Sequence, residues 1–345
     1  MNMISASAAA SATAPLPFDH DAETAACVFT AAGLLLPHLE RGQRVDAATL
    51  RGAMEAAFGT SDATGAWDWK TAYDACEAAT VLFLRKYGAA LFRRAGSSAA
   101  ILPQLGKIAG LLPTHTRRSE EAQTFQQFST PIPLGFAAVT AAAITHADRV
   151  LEPSAGTGLL AILAEIAGGA LLVNELAEVR AGLLSSLFPA LSVTRFDAAQ
   201  IDDHLDPGLI PTVVLMNPPF SVKSWSNGLE EDYGRFEYGK PPEKNGDYAF
   251  LLHALTSLKS EGKAAVILPH GVLFRGNAEA TIRTKLLKQG FIKGIIGLPA
   301  NLFYGTGIPA CVVILDKENA QARTGVFMID ASKGFMKDGN KNRLR

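Results

Sequence analysis

Cysteine is scarce in this chain, and its arrangement suits neither crosslinks nor metal. Cys27, Cys76 and Cys311 are the only three in 345 residues, an odd number, widely spaced and never in CxxC. That argues against a disulfide framework or a zinc site, and for a reducing, cytoplasmic setting. No uninterrupted apolar run approaches the roughly 18 residues a membrane helix needs, so no membrane partner is expected. Basic residues are missing before Arg41. A secretory signal places positive charge ahead of an apolar core, so MNMISASAAASATAP reads as a disordered leader over 1–15. GxxxxGK[ST], HExxH and GxSxG are also absent, which removes the motif-borne routes to P-loop, zinc-peptidase and serine-hydrolase chemistry.

Apolar residues make up 48% and charged residues 19%, the balance of a globular protein long enough for one large domain and a smaller one. The net charge of −1 conceals an asymmetry. Residues 1–217 hold 14 Lys and Arg against 21 Asp and Glu, whereas residues 218–345 hold 18 against 12. A basic second half can face a polyanion, or reflect ordinary variation in surface charge.

Residues 16–118 read as a helical domain. Trp67 to Tyr87, WDWKTAYDACEAATVLFLRKY, spaces apolar groups as a helix does and has no internal Gly or Pro. From 119 to 345 strands alternate with helices. Strands are expected at Arg149–Pro153, Ala170–Glu175, Ser192–Asp197, Val213–Asn217, Ala264–Pro269, Ile292–Leu298 and Ala310–Lys317. Helical patterns fall at 157–167, 176–187, 247–260 and 277–289. Uninterrupted apolar strands such as AAVILP are what a parallel sheet covered on both faces requires. The fold class is therefore α/β, a doubly wound, mostly parallel, seven-stranded Rossmann-like sheet. The last two strands lack room for a crossover helix, so the final one is antiparallel.

RVLEPSAGTGLLAILAEIAG (149–168) is a strand, a small-residue loop and a helix. Gly156 and Gly158 permit a tight turn and close backbone approach at a helix N-terminus. Ala161 replaces the third glycine of GxGxxG, so no pyrophosphate cradle is demanded. The loop Glu152, Pro153, Ser154, Ala155, Gly156, Thr157, Gly158 better suits the aminocarboxypropyl end of S-adenosylmethionine. Glu175 ends the next strand 17 residues after Gly158, near the spacing for an acid that accepts from ribose hydroxyls. Asp197, followed by Ala198, ends the third strand, where it can accept from an adenine amine. Upstream, QQFSTPIPLG either closes over the methionine end through Phe128, Thr130 and Pro131 or is a loop before a helix near Pro133.

VVLMNPPF (213–220) ends a buried strand in an amide, two prolines and an aromatic. Asn217 leaves the sheet on the same edge as the loop at 154–158. The exocyclic amine of a nucleobase is a poor nucleophile, because its lone pair is delocalised into the ring. Accepting its two hydrogens on the Asn217 side-chain oxygen and the Pro218 carbonyl favours a pyramidal nitrogen aimed at a sulfonium methyl. Pro218 and Pro219 fix the backbone so that the acceptors converge, and Phe220 offers a face on which to stack an extruded base. His270 and Arg275, after the fifth strand, are candidates for the target cleft.

LEPSAGTG followed by NPPF resembles the amino-methyltransferases with N6-adenine chemistry. Residues 45 to 217, with QQFSTPIPLG, LEPSAGTGLLAI and VTRFDAAQIDDHL, resemble the methyltransferase-like N-terminal region of bacterial strawberry-notch-type proteins. Residues 217–345, with NPPFSVKSWSNG, YGRFEYGKPPEKNGDYAFLLH, GKAAVILPHGVLFRG and GLPANLFYGTGIPACVVILDK, resemble the modification subunit of type I restriction systems. The change of likeness at the shared NPPF makes the chain look composite. The resemblance implies S-adenosylmethionine as cofactor, DNA as substrate, and specificity and restriction subunits as partners. It departs from the second family in EPSAGTG, where a DPACGSG-like loop is usual, and in stopping at KNRLR before that family's C-terminal helices. Two alternatives stay open: an RNA-base or protein-glutamine methyltransferase, which also uses NPP[FY], or a non-catalytic cofactor-binding module on nucleic acid.

Overall fold

A computed structural model describes residues 20–113, 129–223, 225–226, 234–303, 307–338 and 341–344. The expected leader and Phe128 lie outside the described residues. Local chemistry sets the first helices: α1 (His20–Glu40), α2 (Ala47–Phe58), α3 (Trp69–Ala95) and α4 (Ser98–Gly110). Asp46 and Asp68 start α2 and α3 by accepting the N–H groups of Thr49 and Thr71, each at 2.8 Å. The helix read between 67 and 87 runs on to Ala95, because nothing breaks it before the left-handed Gly96. Its internal Gly88 has a packing reason, since a Cβ there would sit 2.4 Å from Ile166 Cδ1. By length and composition α1 could cross a membrane, but its Val28, Ala32, Leu35 and Leu39 are buried in the core.

The second half is the expected doubly wound sheet. Its strands are β1 (Arg149–Glu152), β2 (Ala170–Asn174), β3 (Val193–Thr194), β4 (Val213–Met216), β5 (Lys263–Pro269), β6 (Ile292–Gly297), β7 (Ala310–Asp316) and β8 (Phe327–Asp330). The order is β3-β2-β1-β4-β5-β7-β6-β8. β7 runs antiparallel to both neighbours, as the short connection required, and the other pairs are parallel. β8 adds an eighth strand beyond the seven expected. It is exposed throughout, so it carries no alternation of apolar and polar residues to be read.

Helices α5 (Ile132–Ala141), α6 (Leu159–Ile166), α7 (Glu178–Leu187), α8 (Asp247–Ser257) and α9 (Asn277–Lys288) complete the layers. Because side chains alternate along a strand, each buried strand feeds two cores. Val213 and Leu215 of β4 join Val150 in a core with α1, α3, α6 and α7. Val214 and Met216 join Leu151 in a second core with α8 and α9. The helices before residue 114 thus share a core with one face of the sheet. At the chain's end a hairpin, β9 (Phe335–Asp338) and β10 (Lys341–Leu344), reaches back to them. Arg343 Nη1 donates to Gly106 O of α4 at 2.9 Å, and Asn342 Nδ2 donates to Ala300 O at 2.7 Å.

One buried amide ties three strand ends together. Asn174, the last residue of β2, donates from Nδ2 to Pro153 O and Phe196 O, both at 2.8 Å. Its Oδ1 accepts from Phe196 N at 2.8 Å and Thr194 Oγ1 at 2.9 Å. This clip takes over from the ladder after Thr194, so β3 stops short of the expected 192–197. Asn174→Ala removes all four bonds and leaves buried backbone groups unpaired, at a cost of about 2–3 kcal/mol. Urea denaturation should show that loss as a lower midpoint with an unchanged slope.

Candidate functional site

From β1 the chain works outward to β3, then returns to β4 on the other side of β1. That reversal opens a crevice beyond the carboxyl ends of β1 and β4. A cleft of about 370 Å³ occupies it. The loop after β1 turns on Gly156 (φ 56°) and Gly158 (φ 86°). A Cβ on Gly158 would lie 2.7 Å from Phe188 Cε2, so only glycine lets the loop seat against α7. Glu175, at the end of β2, accepts from Gly156 N at 2.7 Å and from Ala177 N at 2.9 Å. It therefore braces the glycine turn as well as facing the cleft. Asp197 opens the 3-10 turn Ala198–His204 by accepting from Ala199 N at 2.8 Å.

The cleft is rich in acid. Glu152 is 1% exposed, and its Oε2 has no hydrogen-bond partner among the described residues. Burial, and then the charge of Glu175, push its carboxyl well above the usual range. A further acid comes from the helical segment. Glu77 of α3 lines the cleft and accepts from Thr157 Oγ1 at 2.5 Å. Burial and the nearby Asp74 push it up to about 7, against the pull of Arg180, Ser129 and Thr157. The compensating cation is Arg180 of α7, whose Nε and Nη2 reach Asp74 at 3.2 and 2.8 Å. Burial alone would raise Asp74, but Arg180 and Lys70 (3.1 Å away) hold it down at about 2.

On the β4 side, Asn217 and Pro219 line the cleft. Asn217 Nδ2 donates to Thr130 Oγ1 at 2.9 Å, which fixes the way round the amide is held. Pro218 is buried and does not line the cleft. Phe220 is also not brought to the cleft. Its ring is 1% exposed and packs edge-on against Phe303 at 5.5 Å. The reason is the turn that follows, where Ser221 takes φ 54° and donates its N–H to Asp247 Oδ1 at 2.7 Å. Asp247, itself fully buried, is held from the other side by Arg275 Nη2 at 2.6 Å. Arg275 is thus a brace for the Asn217 loop. Neither it nor His270 lines the cleft. Phe274, the residue before Arg275, is 74% exposed and does not line the cleft.

The other sequence expectations divide cleanly. Thr130, Pro153, Ser154, Ala155, Gly156 and Thr157 line the cleft, as do Glu152, Glu175, Asp197 and Ala198. Gly158 shapes the loop from behind, and Pro131 faces a separate small pocket near the C-terminal hairpin. Sequence reasoning missed Glu77, Arg180 and Asp247. For Glu77 a signal existed, because Asp74 and Glu77 are three apart within an otherwise apolar helix stretch and so share one face.

Residues 200–345 match the N-6 DNA Methylase family. The chain is 39% identical over 137 residues to the type I restriction enzyme MpnII methylase subunit of Mycoplasma pneumoniae, covering 38% of this chain and 25% of that protein. It is 35% identical over 127 residues to the HindI methylase subunit of Haemophilus influenzae, covering 36% of this chain and 28% of that protein. The chain thus spans about a quarter of the length of these relatives. Its fold is similar to the type I restriction-modification methyltransferase subunit of Streptococcus thermophilus. The TM-score is 0.56 at 24% identity, over 94% of this chain and 83% of that one. The sequence resemblance of the second half to modification subunits is borne out. The fold match also runs through both sides of Asn217, so the change of sequence likeness there is not a change of architecture.

Proposed function

We propose that this chain is an S-adenosylmethionine-dependent methyltransferase acting on the exocyclic N6 amine of adenine in DNA, in the manner of a type I modification subunit. The observation that carries the reading is that Asn217 leaves β4 beside the glycine loop after β1, with both lining one acidic cleft. A cationic cofactor fits that cleft, because Glu152 Oε2 is buried there with no partner among the described residues and a cofactor ammonium can satisfy it. Glu175 would hold the ribose hydroxyls and Asp197 the adenine amine, while Thr130 and Ser154 bound the methionine end. When bound, the cofactor supplies an electrophilic sulfonium methyl.

The protein's task is then to make a base amine nucleophilic and to keep water out. Thr130 holds the Asn217 amide, whose oxygen accepts an amine hydrogen, whereas the Pro218 carbonyl expected to take the other does not line the cleft. That acceptor is fixed before reaction by the prolines and by the Ser221–Asp247–Arg275 brace, which is preorganised electrostatics. The basic second half supplies phosphate contacts, and a cytoplasmic location fits a DNA substrate. Specificity and restriction subunits are the proposed partners. An RNA-base or protein-glutamine methyltransferase is the alternative. Tritiated methyl transfer offered to DNA, RNA and protein together separates them.

Asn217→Ala should abolish transfer with cofactor affinity nearly unchanged, since losing a preorganised acceptor costs on the order of 3–4 kcal/mol. Turnover above a tenth of wild type would sink the assignment. Glu175→Ala should weaken S-adenosylmethionine binding by about 1.5–3 kcal/mol. Calorimetry reads that loss, and thermal melting separates it from general loosening of the loop. The purified chain alone should methylate random-sequence DNA weakly, in a salt-suppressed way and without sequence preference. Phosphate contacts carry no sequence information directly, and no base-reading motif is recognisable in the sequence. Sequencing of the modified positions checks this, and a sharp consensus around modified adenines would refute it.

A further inference from the structure

The helical segment before the sheet has no assigned part in the reaction, yet it puts one ionisable group into the cleft. Glu77 is 6% exposed, in the middle of α3, and meets the glycine loop through Thr157 Oγ1. We propose that Glu77 belongs to the cofactor site, holding a proton before the cofactor enters and releasing it when the cofactor's positive charge arrives. The inference rests on the cofactor reading above and deepens it.

The surroundings explain why the group is poised for this. Asp74, on its own helix, is ionised beside it and disfavours a second negative charge. Arg180, from α7, favours the charged form, but its guanidinium is already engaged by Asp74. Lys70 is likewise taken up by Asp74. From the sheet edge, Glu175 acts on both Arg180 and Glu152. Cys76 is buried and its thiol is pushed up, so it brings no charge. Ser129 and Thr157 are neutral donors that stabilise the carboxylate. Desolvation dominates and leaves Glu77 at about 7. Lys223 also lines the cleft, and a further cation there shifts the balance toward the carboxylate.

The sign of the linkage follows. A cation beside Glu77 lowers its pKa, so the complex binds fewer protons than the free protein and affinity rises with pH up to about 7. The displaced proton passes to the buffer. A purely structural Glu77, pinning the loop through Thr157, predicts no such exchange.

The test is calorimetry of S-adenosylmethionine binding to the full chain at pH 6.5, in two buffers of different ionisation enthalpy. The expected result is net proton release on binding, to which Glu152, itself pushed up by burial, can also contribute, and which is smaller in Glu77→Gln than in the wild-type protein. Undiminished release by Glu77→Gln overturns the inference, and so does wild-type protein that releases none. If Glu77→Gln does not fold, Thr157→Val serves. Removing that donor should move the midpoint of the pH dependence upward, and an unmoved midpoint overturns the inference. S-adenosylhomocysteine, which keeps the ammonium and lacks the sulfonium, assigns the charge. Equal proton release points to the ammonium, and loss of release points to the sulfonium. No binding of either molecule would instead remove the cofactor reading itself.

Discussion

The Asn174 amide is the constraint on which the site depends. Three strands end side by side, and each must deliver an acid to the same crevice. Strand ends fray unless their last carbonyl and amide groups find partners. Asn174 supplies partners on both sides at once, taking Pro153 and Phe196 carbonyls on its nitrogen and Phe196 N–H on its oxygen. Glu152, Glu175 and Asp197 therefore stand in fixed register, although β3 itself is only two residues long.

The cleft gathers like charges, which is costly in a ligand-free protein and useful in a receptor for a cation. Glu77, Glu152, Glu175 and Asp197 all line it, against Arg180 and Lys223. The arrangement survives because the acids are treated differently. Glu175 is held by two backbone N–H groups, Glu152 is pushed toward neutrality by burial, and Asp74 absorbs the charge of Arg180. Substrate-side order comes from another buried pair. Asp247 and Arg275 carry the turn at Ser221, and that turn aims Asn217 at the cleft while sending Phe220 into the core.

Much of this was legible in the sequence, and for a definite reason. Strands buried on both faces read as apolar runs that stop abruptly, so Glu152, Glu175, Asp197 and Asn217 announced both the sheet and the edge that carries the cleft. What stayed hidden depends on partners far apart in the chain. Glu77 looked like one more residue in a helical pattern, because its meaning lies in Thr157, 80 residues away. Asn174 read as the last residue but one of a strand. Phe220 was expected to face a base, but the direction of an aromatic after two prolines is set by the positive φ of Ser221, which local sequence does not disclose. β8 was missed because neither of its faces is buried.

The C-terminal hairpin bears on the order in which the molecule is built. Arg343 donates to Gly106 across 237 residues of chain. Contacts of that span close late, since the entropy of a large loop must be met before the contact contributes. Residues 20–113 leave the ribosome before the sheet that supplies much of their core, and before the hairpin that tethers α4. In that interval they carry an unfinished apolar face, the kind of transiently exposed surface that invites wrong contacts.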